Sequence, residues 1–137
     1  MNLTDLASTL PNGFHDAEVQ SFEMDYVHRV LRFRMDVWTS GVEDVGRREL
    51  YRPAVLSLRE VAYLAIEVPD EKYPWREAGP VSIDVGSGCP AKSAFMPPEV
   101  PPNITKSWFF IVDFNCFLHC GAAEAQLEWV GEERVRE

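Results

Sequence analysis

Phe14-His15-Asp16 sets an imidazole beside a carboxylate. Such a pair can ligate a metal or act as an oriented general base, because the carboxylate fixes the imidazole tautomer and raises its basicity. His15 and Asp16 are therefore the candidates for metal binding and for catalysis, with His119 as a further catalytic candidate from across the fold. On an extended approach to a strand, however, sequence neighbours point to opposite faces, and a metal would need more ligands from elsewhere. A capping or turn-fixing role for His15-Asp16 is the favoured reading.

Cys116-Phe117-Leu118-His119-Cys120 has the look of a thiol or metal cluster. Strand geometry takes it apart: Cys116, Leu118 and Cys120 would share one face, His119 would point to the other, and the two thiols would lie ~13 Å apart. Small buried cysteines are favoured. Gly86-Ser87-Gly88-Cys89-Pro90 is glycine-rich but lacks the Lys and Ser/Thr of a phosphate loop and runs into prolines, so it reads as a flexible loop. Arg32 and Arg34, with Arg29 nearby, could grip a carboxylate or phosphate, yet pairing across strands with Glu18, Glu23 or Asp25 needs no ligand. No motif implies a cofactor.

These residues must be held by strands. Ala17–Tyr26 and Val30–Thr39 alternate apolar and polar positions, most clearly where Leu31, Phe33, Met35 and Val37 oppose Arg32, Arg34 and Asp36. Only three residues separate the two runs, which predicts an antiparallel hairpin, and the broken alternation between Val19 and Phe22 predicts a bulge. A short helix or turn at residues 2–10, with Thr4 as cap, precedes a Pro11-Asn12-Gly13 turn. Residues 40–49 read as a loop. Strands are expected at Leu50–Leu58, with Pro53 arguing for an edge or a bulge, at Val81–Val85 and through Ser107–Leu118 as one buried strand; Val61–Val68 and Ala123–Val130 also read as strands, although Val61, Leu64, Ala65 and Val68 fit a helical face and the alanines of the second would suit a helix. Residues 69–103 form a long proline-rich connection, which could be a functional loop or a lid carrying Trp75, Phe95 and Met96. The tail from Gly131 is expected to be exposed.

The pattern predicts a mainly β single domain, residues 1–137, with an antiparallel sheet folded as a sandwich or partly open barrel. The longest apolar run, Trp108 to Leu118, falls short of the ~20 residues that a membrane span requires and contains Asp113 and Asn115. Met1–Leu6 lacks the pattern of a secretory signal and three cysteines are too few and too odd for a disulfide framework, so a cytoplasmic address with free thiols is expected. The net charge of −9 argues against a long nucleic-acid groove and for solubility, or for a basic protein partner. The charge is uneven: acidic flanks enclose a positive middle at residues 29–59, carried by arginines such as Arg29, Arg47, Arg48 and Arg52.

Leu10-Pro11-Asn12-Gly13-Phe14-His15-Asp16-Ala17-Glu18-Val19, followed by a strand and hairpin, resembles small uncharacterised bacterial proteins that open with a Leu/Phe-His-Asp-Ala/Ser motif before their first strand. Phe114-Asn115-Cys116-Phe117-Leu118 and the alternating run at 123–129 look like that group's closing strands; the proline-rich 69–103 segment departs from it. Some members are assigned as immunity proteins, which neutralise toxins of competing bacteria. The resemblance carries over no catalytic residues; together with the −9 charge and the lack of a convergent catalytic set in the sequence it leads to the expectation of a non-enzymatic, protein-binding module, an inhibitor of the immunity type. The alternative expectation is a small metal- or His-dependent hydrolase built on His15 and Asp16.

Overall fold

The computed structural model describes residues 1–40, 49–72, 78–90 and 93–135. Residues 41–48 of the loop expected at 40–49, Trp75 of the proline-rich segment and the last two residues lie outside the described residues. The N-terminal residues form helix α1 (Leu3–Ser8), capped by Asn2, whose side chain accepts a hydrogen bond from the Asp5 N–H at 2.8 Å; Asn2 takes the role expected of Thr4.

Strands β1 (Ala17–Asp25) and β2 (Val30–Trp38) form the expected hairpin, with Arg29 at φ +54° in the turn and a register shift between Val19 and Ser21. Leu31, Phe33, Met35 and Val37 are all buried, so the period-two reading of β2 is correct residue by residue. Strands β3 (Leu50–Arg59), β4 (Tyr63–Ile66), β5 (Val81–Ser87), β6 (Thr105–Ile111), β7 (Cys116–Ala122), β8 (Glu124–Trp129) and β9 (Arg134–Val135) complete one antiparallel sheet. Its order is β4-β7-β6-β5-β1-β2-β3-β8, with β9 also on β3. No helix among the described residues is long and apolar enough to cross a membrane.

The sheet curls over itself without closing, for a reason visible in its connections. Strands β4 and β8 are its two ends, yet residues 60–62 alone join β3 to β4 and Ala123 alone joins β7 to β8. The chain therefore forms a long two-stranded ribbon, β3–β4 against β7–β8, that bends at one corner and reaches both ends of the sheet. Glu60 turns the corner at φ +54°, and the Ala62 N–H donates to the Gly121 carbonyl (2.7 Å) while the Ala123 N–H donates to that of Arg59 (3.0 Å). The curl brings Phe33 of β2 onto Phe109 of β6, ring centroids 4.5 Å apart and 18° from parallel. In a flat sheet three strand spacings would hold them roughly 14 Å apart.

Three sequence expectations change. Ser107–Leu118 is a hairpin, not one strand: a 3-10 turn at Val112–Phe114 and Asn115 at φ +47° reverse the chain, since Asn tolerates the left-handed region that β-branched residues avoid. Pro53 lies inside the sheet, opposite Asp36 of β2; its missing N–H falls where the other neighbour changes from β8, which ends opposite Ala54, to β9, which starts opposite Tyr51. Gly86 and Ser87 belong to β5 instead of a flexible loop, while the tail, exposed as expected at Arg134 and Val135, adds β9.

Because the Phe33–Phe109 stack is what the curl encloses, Phe109→Ala should lower unfolding free energy by about 3–5 kcal/mol in urea denaturation; a loss near that of a surface substitution would mean that the two arms of the sheet do not share a core.

Candidate functional site

The turn that delivers His15 ends with Asp16 at φ +57°. This left-handed residue replaces the extended approach expected from the sequence and brings the two neighbours onto one side: His15 Nε2 lies 3.3 Å from Asp16 Oδ2. The other ring nitrogen, Nδ1, lies 2.5 Å from Oδ1 of Asp84 in β5, a partner that sequence spacing gave no means of finding. The Asp84 hydrogen bond pushes the His15 pKa up, burial opposes it, and the charges of Asp84 and Asp16 add to the rise. Each nitrogen faces a carboxylate, which only accepts when ionised, so the arrangement favours the doubly protonated ring. In that state no lone pair remains for a metal or for a substrate proton, and the two carboxylates stand on opposite sides of the ring. Among the described residues no group of three or more His, Cys, Asp or Glu side chains is placed to hold a metal ion.

His119 does not join His15. It projects from the outer face of β7, where it is 2% exposed, and its Nε2 lies 2.7 Å from Oε2 of Glu67 and 3.2 Å from Oγ of Ser93. Ser93 Oγ also donates to Glu67 Oε2 at 2.5 Å, and the Phe117 N–H donates to Oε1 at 3.1 Å. Burial raises the Glu67 pKa, but the bonds from Ser93, His119 and Phe117 more than offset this and hold it below the ordinary carboxylate value. A Ser, a His and a Glu thus meet, yet not as a nucleophilic triad: hydroxyl and carboxylate share one ring nitrogen, which must carry its proton to donate to Glu67, whereas a catalytic serine needs that nitrogen free and the carboxylate on the other. The cluster instead pins the proline-rich segment to the sheet. Phe95 completes it, stacked on His119 at 4.3 Å and tilted against Tyr63 at 6.0 Å. Part of the segment is thus a lid, laid over the outer face; Met96 stays 83% exposed.

The cysteines behave as strand alternation requires. Cys116 and Cys120 are buried on the inner face, Cys89 is exposed, and all three are free. Burial pushes the Cys120 thiol up to about 12 and raises that of Cys116, so neither is a nucleophile at neutral pH. Among the described residues, four arginines of the positive middle make contacts within the fold. Arg29 Nε donates to the Val61 carbonyl and Arg59 Nε to Gln126, Arg52 lies 4.9 Å over the Trp129 ring, and Arg32 comes within 3.9 Å of Glu23.

Between the His15 cluster and the His119 cluster the outer face of β5, β6 and β7 forms an open groove of about 440 Å³. Trp108, Phe110 and Phe117 supply its rings, and Glu67, Asp70 and Asp84 its carboxylates. Phe117 stands edge-on to Trp108 (89°, centroids 5.5 Å) and 5.0 Å from Phe110. Trp108 lies against Gly86 across the β5–β6 pair; a Cβ there would come within 2.0 Å of the indole, so only glycine leaves room for it. Asn115 at the β6–β7 turn donates to Asp70 at 3.0 Å and fixes that carboxylate at the rim. The sequence showed the alternation that places Trp108 and Phe110 on one face, but not which strands would carry acids beside them.

No family model, curated protein or solved structure matches this chain.

Two measurements check the assignments. The His15 ring should titrate above the ordinary value of 6.5 in NMR, fall in Asp84→Asn, and stay unmoved by added zinc. A folded pKa above the unfolded one means that the clasp's contribution is full below the unfolded pKa and fades as pH rises through the folded one; His15→Gln should therefore cost no more than about 1 kcal/mol at pH 5.5 and less at pH 8.5. Zinc that displaced the titration would make His15 a ligand. In a native thiol assay Cys89 alone should react promptly, with Cys116 and Cys120 following only in denaturant; fast labelling of all three would contradict the burial described.

Proposed function

We propose that the protein is a non-enzymatic binding module of the bacterial immunity type, acting in the cytoplasm by laying an acidic surface against a basic protein partner. The observation that carries this reading is the groove on β5–β7, where three carboxylates stand among three aromatic rings on an otherwise regular sheet face. Aromatic side chains anchor protein interfaces, and a field of one sign speeds the encounter with a partner of the other. The charge balance supports it: 22 acidic against 13 basic residues give the chain a net charge of −9. The resemblance of the Leu10–Val19 run to uncharacterised bacterial proteins, some of whose wider group are assigned to toxin immunity, points the same way. The hydrolase alternative draws on the meeting of His15, Asp16 and Asp84, but a general base or metal ligand there would first have to leave one carboxylate.

Affinity capture on the intact protein from its native host at low salt should recover a basic protein that is released by about 0.5 M salt, at which charge steering is screened to a few ångströms. Expressed alone, that protein should arrest growth, and co-expression of this chain should restore it. Recovery of no partner, or of one whose effect on growth this chain leaves unchanged, overturns the reading.

A further inference from the structure

We infer that the β5–β7 groove is the seat of a single arginine side chain presented by the basic partner. This rests on the binding role proposed above and gives it a location and a chemistry. The carboxylates sit at separate points on the groove: Asp84 on β5, Glu67 just beyond β4 and Asp70 beside the β6–β7 turn. Trp108, Phe110 and Phe117 lie between them, half-buried, with Phe117 packed against the other two. A cation entering here meets π-faces and carboxylates together, and among the described residues the groove lining includes no Lys or Arg. Among the described residues the positive groups at the rim are His15, already shared between Asp84 and Asp16, and Lys72, two residues from Asp70.

The chemistry selects guanidinium over ammonium. A guanidinium is planar, so it can lie on an aromatic ring while its edge donates two parallel hydrogen bonds to a carboxylate; an ammonium is a compact, strongly hydrated charge that does neither as well. The groove offers both halves of that recognition, rings at its floor and acceptors at its sides. A divalent cation has less to bind, because among the described residues the carboxylates gather into no ligand group. Two devices hold the floor in place. Gly86 leaves room for the Trp108 indole, and the Glu67 bond to the Phe117 N–H ties the rim carboxylate to the strand that carries the third ring.

The test titrates the full chain with an N-acetylated, C-amidated pentapeptide carrying one central arginine among glycines, and with its lysine and citrulline counterparts. The readout is the Trp108 indole N–H in NMR spectra. The arginine peptide should shift that signal saturably, about tenfold more tightly than the lysine peptide, with the citrulline peptide not saturating. Asp84→Asn and Phe110→Leu, each shown to be folded by its dispersed spectrum, should each weaken binding about tenfold. Equal binding of lysine or citrulline, no shift at Trp108, or unchanged binding by both variants overturns the inference. If a partner is captured while the arginine peptide fails, this inference falls and the binding role stands; if the peptide binds at Trp108 and no partner exists, the groove keeps its arginine preference and the binding role falls.

Discussion

The backbone hydrogen bonds at the ribbon's corner hold the architecture together. Ala62 to Gly121 and Ala123 to Arg59 let two strands run on from one end of the sheet to the other with hardly a break in pairing. A polar backbone crossing a bend near the core must keep its partners, because each one left unmet costs about 1–3 kcal/mol. With the corner satisfied, curvature is imposed on every strand between β4 and β8, and the two halves of the inner face close on a common set of side chains. Glu60 bears the local cost at φ +54°, a conformation that a side chain other than Gly, Asn or Asp adopts only where its neighbours hold it.

Much of this was legible in the residues. Period-two alternation located β1, β2 and β8 to within a residue or two and named the inner face of β2 in full, because each is buried on one face only. The reading failed where burial is two-sided. Residues 107–118 are apolar on both faces, so their pattern did not show that the chain reverses at Asp113-Phe114-Asn115; the outer face there is covered by aromatic neighbours and by the proline-rich segment, and no periodicity in a single strand reports that. Pro53 misled for a related reason: a proline speaks for a missing hydrogen bond, and the sheet had a gap between β8 and β9 in which to place one.

The functional face was less legible than the fold. His15 and Asp16 were conspicuous as neighbours, yet what they do depends on Asp84, a residue 69 positions away, and on one left-handed backbone angle at Asp16. Ser93, His119 and Glu67 meet across a connection and two strands with no spacing to announce them. The cysteines were the opposite case: alternation alone separated Cys116 and Cys120 from His119, and the structure keeps them apart. Pairs set by strand geometry can be read from sequence; pairs made by tertiary folding onto a face cannot.

The cover over His119 gives the molecule two levels of cohesion. Ser93 and Phe95 hold the outer face through one carboxylate, one imidazole and two ring contacts, while the sheet beneath keeps its own ladder and its own interior without them. The contacts of Ser93 and Phe95 are thus separate from the pairing that holds the sheet. The rim of the groove at Glu67 is therefore shaped by the cover as well as by the strand beneath it.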